Sequence, residues 1–205
     1  MSQSRASSLG VVSAVAAASF AAVTWASASR ATAHFDRTLA PRLALRPRSR
    51  GRKVAERLAP IGKWYAVVPA AVVTGALVAR ATRRRAAGAA IIASASSALL
   101  AKAFDVLLPQ PPVPESHRRE PRKAVFPSGH GMVSTAVSLT TAYVLSREQL
   151  ASASNAFPLA IAFSLGNPAL KLAVRKHWPT DAIGGVLAGI AVAAACCAVY
   201  ESVRD

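Results

Sequence analysis

The sequence predicts an all-α protein, a six-helix transmembrane bundle. Three observations carry this expectation. The 205 residues contain six runs without a charged side chain, at 6–29, 64–79, 86–101, 131–146, 149–169 and 182–200. Only 17% of the residues are charged and 53% are apolar, so charge is confined to the segments between the runs. The runs are rich in Ala, Gly and Ser, which let helix backbones approach closely where lipid supplies no hydrophobic drive between them. The net charge of +16 would suit a nucleic-acid-binding protein. Such a protein does not usually carry so many uncharged runs, and no aromatic residues interleave the basic ones, so nucleic acid is not expected as a partner.

The elements follow in order. The run at 6–29 is the first span. Ala26-Ser27-Ala28 resembles a signal-peptide cleavage site, but the run is long and only Arg5 precedes it, which favours an uncleaved helix. Residues 30–63 form a basic connector that includes Arg46, Arg48, Arg50, Arg52 and Lys53. It reads as a solvated loop at an anionic lipid surface, with Phe35-Asp36 and Trp64-Tyr65 as interfacial anchors. The chain thus divides into 1–63, the first transmembrane helix and its connector, and 64–205, a core with five transmembrane helices. The second and third runs hold 16 residues each, against about 20 for a full crossing. They extend if Arg80 and Lys102 snorkel to the interface. Between them lies a short basic turn with Arg83, Arg84 and Arg85. Residues 109–127 contain six prolines, which excludes a helix or a central strand there. The adjacent Cys196 and Cys197 point in different directions on a helix and read as small apolar residues.

Two stretches carry the candidate chemistry. In Pro127-Ser128-Gly129-His130, proline cannot continue a preceding helix, Ser128 suits an N-cap and Gly129 allows close approach of a ligand to the backbone. His130 would then sit in a first helical turn, where free N–H groups favour an anion such as phosphate. In His177-Trp178-Pro179-Thr180-Asp181, the four-residue spacing allows the carboxylate to orient the imidazole. Taken singly, the first is most often a plain helix cap and the second is usually a surface pair. Their position at the ends of long apolar runs is what joins them.

Together these residues resemble the type 2 phosphatidic acid phosphatase superfamily, which also contains the vanadium haloperoxidases. That family carries Lys-x6-Arg-Pro, Pro-Ser-Gly-His and Ser-Arg-x5-His-x3-Asp. The second motif is complete at 127–130. The third keeps His177 and Asp181, with Leu170 and Lys171 where the family has serine and arginine. The first keeps Lys102, while Pro109 and Gln110 stand in place of Arg-Pro. The similarity spans roughly 64–200 and implies the family's membrane branch, since a haloperoxidase would need a soluble fold and an arginine-rich pocket.

The resemblance implies a membrane-embedded lipid phosphate phosphatase acting on a phosphomonoester or pyrophosphate of a polyprenyl or glycerolipid. His177 would attack phosphorus and form a phosphohistidine, Asp181 would hold its tautomer, and His130 would act as acid and then base. Lys102, Ser128, the Gly129 N–H and Lys171 would bind the phosphoryl oxygens. Arg118, Arg119, Arg122 and Arg175 are candidates to replace the missing arginines. No metal or other cofactor is implied, and no acid cluster is present to hold one. The expected partners are the lipid phosphate and the bilayer, and a protein partner is left open. The alternative reading is a weak or inactive relative that binds anionic lipid or a partner. The segments 30–63, 102–128 and 171–181 share the site face and hold 18 of the 25 Lys and Arg residues. The positive-inside rule would make that face cytoplasmic, whereas membrane members of the family usually place the site outside.

Overall fold

The computed structural model describes residues 2–108 and 126–204. Among these residues the chain forms nine α-helices and no strand. They are α1 (Ser2–Ala28), α2 (Ala33–Leu43), α3 (Arg50–Leu58), α4 (Trp64–Thr82), α5 (Arg85–Ser94), α6 (Ser97–Leu107), α7 (Gly129–Arg147), α8 (Ala153–Ala173) and α9 (Pro179–Ser202). A short 3-10 helix, Ala59–Gly62, precedes α4.

Each of the six charge-free runs lies mainly within helical structure. Among the described residues, five segments are long and apolar enough to cross a membrane: Gln3–Ala28, Trp64–Thr82, Arg85–Leu107, Ala153–Ala173 and Pro179–Ser202. The third run is broken into α5 and α6. Ser94 Oγ donates to the Ile91 carbonyl at 2.6 Å and Ser97 Oγ to the Ser94 carbonyl at 2.7 Å. Serine hydroxyls bonded back to carbonyls one turn earlier compete with the helical ladder.

The sixth long helix, α7, has 19 residues but is less apolar than the other five. It packs against α4, α5, α6, α8 and α9. Its neighbours are therefore protein rather than lipid, and small polar residues such as Ser134, Thr135 and Thr140 are buried on it. The outer helices show the converse. Val72, Val73 and Leu77 on α4, Leu159 and Leu165 on α8 and Val199 on α9 are exposed apolar side chains, as lipid contact requires. Trp25, Trp64 and Tyr65 are exposed at one end of the bundle, the position of an interfacial aromatic belt.

Helix contact is made through small residues. Gly75 and Gly88 bring α4 and α5 together backbone to backbone, with no room for a Cβ at either. Gly189 on α9 meets Thr135 and the Met132 carbonyl of α7 in the same way. The far end of the bundle is closed by charge. Arg147 binds Glu201 at 2.6 Å and 3.3 Å through two nitrogens, and the Tyr143 hydroxyl donates to the same carboxylate at 2.9 Å. Glu148 accepts from the Tyr200 hydroxyl and pairs with Arg204 and Arg84.

The connector departs from the expected solvated loop. Its residues form α2 and α3, the latter capped by Ser49, whose hydroxyl accepts from the Arg52 N–H at 3.2 Å. The connector is also tied to the bundle, because the Leu45 N–H donates to the Ala173 carbonyl at 2.9 Å. Asp36 is not an interfacial anchor. Only 6% of it is exposed, because its carboxylate bonds to Thr180 at the start of α9.

Candidate active site

The start of α7, the end of α8 and the start of α9 meet at the end of the bundle opposite the Glu201 cluster. The chain reaches α7 through Phe126 and Pro127, both buried. Phe126 stacks on Phe20 of α1 with ring centroids 6.1 Å apart. Ser128 is the N-cap of α7, and its hydroxyl accepts from the Gly131 N–H at 3.3 Å. His130 follows in the first turn. Its Nε2 is buried and has no hydrogen-bond partner among the described residues.

The second histidine precedes α9. Pro179 occupies the first helical position, where a missing N–H costs nothing. Asp181 turns its carboxylate back, and Oδ2 accepts from the Trp178 N–H at 2.7 Å. The same oxygen lies 3.4 Å from His177 Nδ1, at the long end for a hydrogen bond. That contact directs His177 Nε2 away from the carboxylate, the arrangement a nucleophilic imidazole needs. Asp181 is fully buried.

The two segments are joined directly. The Ser128 N–H donates to the Asp181 carbonyl at 2.9 Å. One turn along α9, a Cβ on Gly185 would overlap the Ser128 carbonyl, and one on Gly184 would press on the Phe126 ring. The glycine pair is therefore required for this approach of α7 to α9.

The cations divide into three groups. Lys171, in the last turn of α8, is only 6% exposed. With His177, Lys63 and Lys176 it makes up the charged surroundings of His130. Lys102 is exposed on α6. It lies near Asp105, and Asp105 in turn is within electrostatic reach of His177. Arg175 is exposed on the left-handed turn after α8, with φ 59°. Arg118, Arg119 and Arg122 lie outside the described residues.

Lys63, Lys176 and Asp105 escaped the sequence reading. Lys176 adjoins His177 and was legible there. Lys63 was not, because a packing contact places it. Gly62 sits so close to the Asn167 side chain of α8 that no Cβ fits. Asn167 is one turn before Lys171, so Lys63 is carried to the end of α8. Among the described residues, no three His, Cys, Asp or Glu side chains form a group able to hold a metal ion.

Comparison with known proteins gives two positive findings. The sequence model of the PAP2 superfamily matches residues 85–205. The fold is similar to the crystal structure of the first transmembrane PAP2 type phosphatidylglycerolphosphate phosphatase from Bacillus subtilis, with a TM-score of 0.81 and 18% identity over 94% of this chain and 97% of that one. No curated protein matches the sequence.

Proposed function

Since the chain belongs to the PAP2 superfamily and is an integral membrane protein, we propose that it hydrolyses a lipid phosphomonoester or lipid pyrophosphate through a phosphohistidine. The observation that carries this reading is the Ser128–Asp181 main-chain bond, which sets the His130 turn beside the His177–Asp181 pair.

In the first step, His177 Nε2 attacks phosphorus and the bond from phosphorus to the leaving oxygen breaks. His130 supplies the proton that this oxygen takes up. In the second step, His130 accepts a proton from water, the water oxygen attacks phosphorus, and the P–N bond breaks to release phosphate. Asp181 keeps the attacking nitrogen unprotonated and stabilises the charge that develops on the ring. Ser128, the Gly129 N–H and the cations Lys171, Lys63 and Lys176 stabilise the phosphoryl oxygens. Lys102 acts beside Asp105 at the rim. Lysines replace the family's arginines, so charge is kept while the bidentate fork is lost.

The lipid is a polyprenyl phosphate or a glycerolipid phosphate, with phosphatidylglycerol phosphate among the candidates because of the structural neighbour. The plasma membrane is the proposed location. The test is phosphate release by purified protein in detergent from a panel of polyprenyl phosphates and pyrophosphates, phosphatidate and phosphatidylglycerol phosphate. Turnover of at least one with trapping of an acid-labile phosphoenzyme supports the reading. Binding of these lipids without turnover supports the alternative of an inactive lipid-binding relative.

A further inference from the structure

We propose that Asp36 is a positioning residue for the His177–Asp181 pair, acting through Thr180. This rests on reading that pair as catalytic.

The need for such a residue follows from the start of α9. The first helical N–H groups have no partner within their own helix. Pro179 has none to satisfy, so Thr180 presents the first. The usual local acceptor is a side-chain oxygen on the N-cap residue, and Trp178 at that position has none, while the Asp181 carboxylate is taken up by the Trp178 N–H and faces His177. Asp36, on α2, supplies the missing acceptor from a distant part of the chain. Its Oδ1 accepts from the Thr180 N–H at 3.0 Å and its Oδ2 from the Thr180 hydroxyl at 2.7 Å. Thr32 donates to Oδ2 as well, at 3.3 Å. Asp36 and Thr180 are 6% and 4% exposed, so these bonds are made away from solvent. A carboxylate at this end of α9 also suits the helix dipole.

The consequence for the site is geometric. The backbone from Thr180 to Asp181 is held from two sides, by Asp36 on the Thr180 N–H and by Ser128 on the Asp181 carbonyl. Release of Thr180 frees that backbone to rotate. The Asp181 carboxylate then shifts relative to both Trp178 N–H and His177 Nδ1. The second of these contacts is already 3.4 Å long, so it is the first to be lost. Asp36 lies outside residues 85–205, the part matching the family's sequence model. It makes α2, a helix of the basic connector, part of the site's frame. The charged groups around the pair are His130 and Asp105 beside His177 and Asp36 itself beside Asp181, with Arg30 and Arg37 sharing a cavity with Asp36 and Trp178.

The test uses the full-length protein in detergent, labelled with 15N-histidine. The His177 ring signals are assigned by their loss in His177→Gln and followed through pH, alongside phosphate release. Asp36→Ala is expected to alter the His177 tautomer signature and to lower kcat by about tenfold to a hundredfold, the scale of a small misplacement of reacting groups, with little change in KM. Asp36→Asn keeps an acceptor for the N–H and a partner for the hydroxyl, so it should restore most of both readouts. Thr180→Val should act in the same direction as Asp36→Ala, and Thr180→Ser should resemble the native protein. The proposal is overturned if folded Asp36→Ala keeps native ring signals and native kcat, or if its loss of rate only follows its folded fraction. Should Asp36→Ala not fold, a Thr180→Val protein equal to Thr180→Ser in both readouts overturns it. A native protein that releases no phosphate from any lipid would instead overturn the catalytic reading, while the ring signals still report whether Asp36 holds His177.

Discussion

The backbone N–H of Ser128 donates to the backbone carbonyl of Asp181 at 2.9 Å. Main-chain bonds of this kind fix position more tightly than side-chain contacts, because neither partner can rotate away. The bond ties the N-cap of α7 to the third residue of α9, so the His130 and His177 segments move as one unit.

That unit depends on Gly185. Gly185→Ala would drive a Cβ into the Ser128 carbonyl and force α7 and α9 apart. A displacement near 1 Å at reacting groups costs about a hundredfold in rate, so kcat should fall by roughly that factor. Gly166→Ala is the matched control, because nothing lies within 4 Å of a Cβ there. Equal rates for the two variants in a phosphate-release assay would show that the close approach has no bearing on turnover.

His177→Ala should abolish turnover and the acid-labile phosphoenzyme together. His130→Ala should slow both steps. A substrate with a good leaving group should partly restore the first step, since it needs less protonation. Rapid-quench measurement of phosphoenzyme separates the steps, and near-native activity in His177→Ala would remove it as the nucleophile.

Among the described residues, Lys171 is the buried cation at the site. Lys171→Ala should lower kcat/KM on the order of a hundredfold, the low end for loss of one transition-state donor. Lys171→Arg should raise kcat/KM or tighten inhibition by vanadate, since arginine adds a bidentate contact. Lys63→Gln and Lys176→Gln should each weaken vanadate inhibition, because both lysines contribute to the surroundings of His130, and Arg175→Gln serves as the comparison. Vanadate titration of the five variants checks the set.

The far end should affect stability and not chemistry. Glu201 is fully buried and holds Arg147 through two nitrogens. Glu201→Gln should lower stability by about 1.5 kcal/mol, the low end for a hydrogen bond to a charged group, because Arg147 keeps partial contact with solvent, while kcat per folded molecule stays native. Thermal unfolding in detergent, paired with an active-site count by phosphoenzyme trapping, checks both parts.

What the sequence by itself determined was local. Lipid offers the backbone no hydrogen-bond partner, so long uncharged runs had to become helices, and they did. Ser128 as N-cap and the His177–Asp181 spacing were equally legible, because each involves residues within one turn of each other. What only the tertiary structure decided was which faces meet. Hydropathy understates α7 because its neighbours are helices rather than lipid, and no linear pattern announces that. The residues 30–63 look like a solvated loop until Leu45 and Asp36 find their partners on α8 and α9. Lys63 enters the site because Gly62 fits against Asn167, a match of shape across the fold. Such contacts join residues far apart in the chain, and their energy exists only once the helices have packed.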